Sequence, residues 1–394
     1  MSVFLNALGI INALGATQTK VFEGLIAESI DNMLNETGLL LEGNALVGRV
    51  TTILPSIPPE MTCYKSRNNQ LLLAAFEQIR PLFNEMVLRY GSKKIGIVLG
   101  TSTSGIDETE QAIHEQIHEG TLINDYHYAR QEMGNPANFL AEYLNLSGIA
   151  YTISTACTSS AKAMIAAHRL ISTDVCDVVI AGGVDSLCRL TLNGFQSLES
   201  ISPFTCLPMS LNRRGINIGE GAALFLVSRE PSNIKFSGYG ESSDAYHISS
   251  PDPDGYGAEA AMRGALKMAN CSAEQVGYIN LHGTATIKND EMESKAVARI
   301  FGLNTLVSST KPLVGHTLGA AGATELAFLW LMFQQKDRVL LPPHYWDNVY
   351  DPALPPIRLV KRGECLPDNK RAALSNSFAF GGNNVSLLVE VVDG

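Results

Sequence analysis

Apolar runs rich in β-branched residues recur along the chain and alternate with stretches of helical character. The runs are KIGIVLG (94–100), IAYTIST (149–155), DVVIAGG (177–183), AALFLVS (222–228), VGYINLHG (276–283), TLVSST (305–310), AALSNSFAFGG (372–382) and VSLLVEVV (385–392). The helical stretches are 67–90, 159–172, 257–270, 290–301 and 319–336. Continuous apolar strands separated by helices require sheets covered on both faces, so the expected class is α/β. One strand runs into Cys157 and then a helix; a later one runs into His282 and then a helix. This parallel predicts two related halves, 1–235 and 236–394, the first carrying the cysteine and the second the histidines.

Bulk properties narrow the function. The chain has 394 residues, 45% of them hydrophobic, which is ample for a large core. The net charge is −10 and no long basic block exists, so nucleic acid is not an expected partner. The most apolar window, LAFLWLMF (326–333), is too short for a bilayer and reads as a buried helix; no membrane span is expected. The N-terminus lacks a basic segment and a cleavage site, so no signal peptide is read. Seven cysteines, odd in number and without C-x-x-C, fit a reducing cytoplasm and neither a disulfide framework nor a cysteine-rich zinc site.

The chemistry centres on ISTACTSSAKAMIAAH (153–168). A thiol at a helix N-terminus meets unpaired N–H groups and the positive end of the helix dipole, which favour the thiolate. The same N–H groups can stabilise an oxyanion. The competing reading is a small buried hydrophobe. Two histidines stand in distinctive settings: His282 in NLHGTATIKNDEMESKAV, and His316 in SSTKPLVGHTLGAAGATE, which also holds Lys311 and Glu325. LSNSFAFGGNN (374–384) is a strand leading into a glycine-flanked turn that can bring backbone N–H groups to a carbonyl. HEQIH (114–118) fits the zinc-hydrolase pattern H-E-x-x-H, with Glu142 as a third ligand, but its surroundings are polar and point to a surface helix.

Four segments in order, TACTSSA, HGTATIKNDEME, TKPLVGHTLGAAGATE and SNSFAFGGNN, resemble an elongating β-ketoacyl-acyl carrier protein synthase with a Cys-His-His centre. NIGEGAALFLV (217–227) and SSDAYHISSPD (242–252) match further family segments, so the resemblance spans essentially the whole chain. It implies a thiolase fold, two βαβαβαββ-like halves in five α/β/α/β/α layers. It implies that Cys157 takes an acyl chain as a thioester, and that malonyl-carrier loses carbon dioxide and attacks it. His282 and His316 would stabilise the enolate, with Lys311 and Glu325 as supports. The amides of Cys157 and Phe380 would form the oxyanion hole, and Phe380 matches the family's gating phenylalanine. Thr284 and Thr286 match positions that bind the phosphopantetheine arm; Asp244 and His247 match a loop facing the turn. Lys65 and Arg67, with Arg213 and Arg214, are candidate contacts for an acidic carrier protein. Asp290 and Glu293 match a structural acidic pair and receive no catalytic role. No cofactor is implied beyond the arm delivered by the carrier, and no metal. The partners are acyl carrier protein and a second copy in a homodimer, or a synthase-like chain in a heterodimer.

Departures from the family pattern bear on specificity. Asn383 replaces a threonine after the paired glycines. RRG (213–215) stands where R-D-G is usual. Thr103 occupies a position where a bulky aliphatic residue often closes the acyl pocket across the dimer. These features are expected of a specialised pathway, such as that of an aryl polyene-type lipid, rather than housekeeping fatty acid synthesis. A thiolase would carry a second cysteine in SFAFGG, and an initiating synthase would carry asparagine in place of His316. A non-catalytic chain-length partner would lack Cys157. Removing either histidine is expected to spare acylation and abolish decarboxylating condensation.

Overall fold

The computed structural model describes residues 2–120, 126–336 and 338–392. Its strands are β1 (Phe4–Ile11), β2 (Met33–Thr37), β3 (Asn44–Gly48), β4 (Ile95–Gly100), β5 (Ala150–Ile153), β6 (Val178–Asp185), β7 (Gly221–Ser228), β8 (Ile234–Ser243), β9 (Val276–Asn280), β10 (Leu306–Ser308), β11 (Arg358–Leu359), β12 (Ala372–Ala379) and β13 (Asn383–Val391). β2 and β3 form a small hairpin sheet. The others follow the order β11-β10-β9-β12-β13-β8-β1-β7-β6-β4-β5. The two half-sheets meet at β8 and β1, which share the single register pair Phe4↔Lys235.

Five layers result. The helix Arg67–Tyr90 covers the outer face of β1, β6 and β7. The helices Ser159–Ser172 and Ala321–Met332 lie between the half-sheets, the first against β4 and β6, the second against β7 and β12. The helices Tyr256–Ala269 and Ile287–Phe301 cover the far side of the second half, packing into the cluster of Ile279, Leu374 and Leu388. Every residue of Ala321–Met332 is buried, as expected for a helix apolar all round.

Strands β1, β2, β3, β8 and β11 fall outside the expected runs. β1 and β8 both contain glycine, and Gly/Ser-rich β8 reads in the sequence as the boundary between halves. The expected 235/236 division therefore lies two residues inside β8. Here the glycines serve close helix packing rather than turns. A Cβ on Gly9 would sit 1.9 Å from the Ala75 carbonyl oxygen, and one on Gly240 would sit 1.9 Å from that of Ala261.

Candidate active site

Cys157 sits on a sharp strand-to-helix elbow. β5 ends at Ile153, and the helix begins at Ser159. Ala156 adopts φ +52°, a left-handed conformation that costs about 1–2 kcal/mol for a residue with a Cβ. Strain of this kind persists only where the surroundings over-determine it, and the three hydroxyl residues after the cysteine do so. Thr158 Oγ1 donates to the Thr155 carbonyl (2.8 Å), Ser159 Oγ to the Ala156 carbonyl (2.5 Å), and the Thr155 amide donates to Ser159 Oγ (2.9 Å). The Ala323 amide donates to Ser160 Oγ (2.9 Å), tying the elbow to the central helix of the second half. The absent Cβ of Gly100 lets the helix start lie directly on β4: that atom would fall 2.2 Å from the Ser160 nitrogen.

The histidines arrive from the second half. His316 is held by backbone bonds to the NIGEG segment: its amide donates to the Asn217 carbonyl (2.7 Å), and the Gly219 amide donates to its carbonyl (3.0 Å). Its Nε2 lies 2.9 Å from Cys157 Sγ. His282 follows β9, with its ring 5.4 Å from that of His316 at 82°. Ligating atoms of Cys157, His282 and His316 all lie within 4.8 Å of one another.

Lys311 and Glu325 form a buried ion pair beside the histidines. The Lys311 ammonium also donates to the His282 carbonyl and faces His282 Nδ1 at 3.4 Å. Three N–H donors thus meet three acceptors. With Nδ1 acting as acceptor, the His282 proton sits on Nε2. Glu293 accepts from the backbone amides of His282 (2.8 Å) and Gly283 (2.7 Å), so it positions this segment without entering the cavity. Burial pushes its carboxyl, like that of Glu325, up to about 7.

Protonation differs from the sequence expectation. Burial pushes the Cys157 thiol up to about 12, against the opposing pull of the Lys311 cation and the local backbone amide. Burial likewise holds His282 and His316 well below the usual imidazole range, helped by the Lys311 charge. These shifts favour a neutral thiol beside neutral imidazoles over a preformed thiolate. His316 Nε2 is placed to accept the thiol proton as sulfur attacks. Because the thiol is protonated below its raised pKa, the iodoacetamide alkylation rate should climb about tenfold per pH unit from pH 7 to 9.5. A plateau near pH 6–7 would instead indicate a thiolate–imidazolium pair.

The cluster opens into a cavity of about 510 Å³ lined by Phe195, Arg214, Asp244, Phe378 and Phe380 together with Thr284 and Thr286. The two threonine hydroxyls are 2.9 Å apart. Phe380 packs on Phe195 (centroids 5.5 Å). Asp244 accepts from Asn384 Nδ2 (2.6 Å) and from the Asp252 amide (3.1 Å), linking its loop to the glycine turn. Phe378 was not singled out in the sequence; its ring lies 6.1 Å from that of His282, and its only sequence signal is its place in SNSFAFGG.

Other expected site residues differ from their expected roles. Arg67 is not a free surface cation: it forms a two-pronged pair with the fully buried Glu220 (2.6 and 2.7 Å). Arg67→Ala would leave that carboxylate with the Val50 amide (3.0 Å) and Arg49 at 3.5 Å, and is expected to lower stability by about 2–4 kcal/mol in a denaturant titration. Arg213 borders the cavity but is only 7% exposed, and its guanidinium donates to Asp351 Oδ2 (2.5 Å). Thr103 is fully buried, its hydroxyl and amide both bonded to Asp185 (2.8 Å), and it does not line the cavity. His247 is exposed, outside the cavity lining, and accepts from the Ser249 amide (3.1 Å). Lys65 is half-buried. His114 and His118 lie exposed on the helix Ile106–Glu119, the Tyr64 hydroxyl donates to Glu142 (2.8 Å), and among the described residues HEQIH and Glu142 form no cluster of potential metal ligands. All seven cysteines are free, and among the described residues no helix is long and apolar enough to cross a membrane.

Comparison with known proteins agrees with this geometry. Residues 83–232 match the family described as beta-ketoacyl synthase, N-terminal domain, and residues 234–344 match its C-terminal domain. Nodulation protein E of Rhizobium meliloti is 32% identical over 313 residues, covering 76% of each chain. The 3-oxoacyl-[acyl-carrier-protein] synthase 2 of Rhizobium meliloti (strain 1021) is 32% identical over 324 residues, covering 76% of this chain and 74% of that one. Among solved structures, a chain from the complex of the ketosynthase ApeO with its chain length factor ApeC from Xenorhabdus doucetiae superposes with a TM-score of 0.95. It is 45% identical, with 99% of this chain and 98% of that chain covered. The fold is thus the thiolase fold of ketosynthases, and with a thiol and two imidazoles meeting at one cavity the chain belongs to the β-ketoacyl synthase family of condensing enzymes.

Proposed function

We propose that the chain is a 3-oxoacyl-[acyl-carrier-protein] synthase working beside a synthase-like partner. The observation that carries this reading is the 2.9 Å contact between Cys157 Sγ and His316 Nε2, with His282 completing the cluster. Cys157 attacks an acyl-carrier thioester, its proton passing to His316; the carrier leaves as a thiol. Malonyl-carrier then loses carbon dioxide, and the electron pair of the broken C–C bond enters an enolate. The His282 Nε2 proton, oriented by Lys311, and His316 stabilise the enolate oxygen. The enolate carbon attacks the acyl carbonyl, the C–S bond to Cys157 breaks, and the departing thiolate takes up a proton supplied by solvent. The Cys157 and Phe380 amides serve as oxyanion donors, and Thr284 and Thr286 bind the arm.

The intact cluster supports catalysis over the role of a non-catalytic length-setting partner. The 45% identity to a chain of a ketosynthase–chain length factor complex supports a heterodimer over a homodimer. Carrier docking falls to Lys65, to exposed Arg214 and Lys288, and to the apolar residues Phe204, Leu211 and Ile287 (67%, 54% and 58% exposed). Incubating the purified protein, with its co-expressed partner, with malonyl-carrier and acyl-carriers of graded length tests the reading. Formation of β-ketoacyl-carrier is the expected product; none from any acyl length would overturn it.

A further inference from the structure

The turn between β12 and β13 carries Phe380 over the cavity and is anchored from three directions. The Gly381 amide donates to the Ile248 carbonyl (2.7 Å), and Asn384 is bound by Asp244 (2.6 Å). The third anchor comes from the nucleophile helix: Lys162 Nζ donates to Asn383 Oδ1 (2.7 Å), 221 residues away in sequence. Lys162 stands on the fourth position of the helix Ser159–Ser172. A cation so near a helix N-terminus works against the dipole, so its placement costs stability unless a partner offsets it. Asn383 is that partner. The Lys162–Asn383 bond links the two segments whose amides the proposed function assigns to the oxyanion hole.

We propose that Lys162 is a positioning residue of the reaction: through Asn383 it fixes the turn carrying Phe380 against the helix that begins at the nucleophile. The inference rests on the function proposed above. Lys162 acts on acyl transfer, where the spacing of the two amides matters, and not on carrier affinity.

Single-turnover acyl transfer to Cys157, in the protein with its partner, is the test. Lys162→Met should slow transfer about tenfold while the half-saturating acyl-carrier concentration stays within twofold. Lys162→Arg, which retains a donor, should stay within twofold of the unmodified rate. Asn383→Ala should match Lys162→Met, and the double variant should be no slower than either single one. Should Lys162→Met fail to fold, Asn383→Ala carries the same tenfold expectation. Rates within twofold of normal in the foldable variants, or losses that multiply in the double variant, would overturn the inference while leaving the functional reading intact. No acyl adduct in the unmodified protein would overturn both.

Discussion

Cys157→Ala is expected to lower the condensation rate roughly 10⁴-fold or more, because among the described residues no other thiol lines the cavity to hold the acyl chain as a thioester. The loss should be selective. His282, His316 and Lys311 keep their places in this variant, since the lost sulfur has one short contact, to His316 Nε2 (2.9 Å). Malonyl-carrier should therefore still lose carbon dioxide, now uncoupled from carbon–carbon bond formation. Release of carbon dioxide without β-ketoacyl product, followed with labelled malonyl-carrier, checks this. If the variant retained condensation above about 1% of the normal rate, the thiol would not be the acyl carrier.

The second large effect separates the histidines, which the sequence treats alike. His282→Ala removes the imidazole that Lys311 orients, and is expected to slow decarboxylating condensation roughly 10²–10³-fold. Acylation should change little, because the short contact to Sγ belongs to His316. His316→Ala should slow both half-reactions. With the thiol pushed up to about 12, sulfur attack needs a nearby proton acceptor, and His316 Nε2 is in place to supply it. Equal acylation rates in the two variants, measured by rapid quench, would contradict this division. It also revises the expectation that either histidine could be lost without affecting acylation.

The sequence carries these elements unevenly, for physical reasons. Apolar strand runs and helical spacing expose the layered α/β order, because both are local patterns. β1 and β8 stay hidden because their glycines answer to helices packed on them: Gly9 to Ala75 and Gly240 to Ala261. The centre is legible as segments in order, and those segments deliver Cys157, His282, His316, Lys311 and Glu325 to one place. Its charge state is not legible. A helix N-terminus argues locally for a thiolate, whereas burial, set by the second half closing over the elbow, decides for the thiol. Cations mislead in the same way: Arg67 and Arg213 look like surface charges until their acidic partners, 153 and 138 residues away, are brought to them.

The central claim is that one buried thiol, served by an adjacent imidazole, carries the growing chain. Mass spectrometry of the protein and its partner after incubation with an acyl-carrier tests it most directly. The account predicts an acyl mass on the peptide containing Cys157, absent in Cys157→Ala and retained in His282→Ala. An acyl group on any other residue, or one that persists in Cys157→Ala, would contradict it.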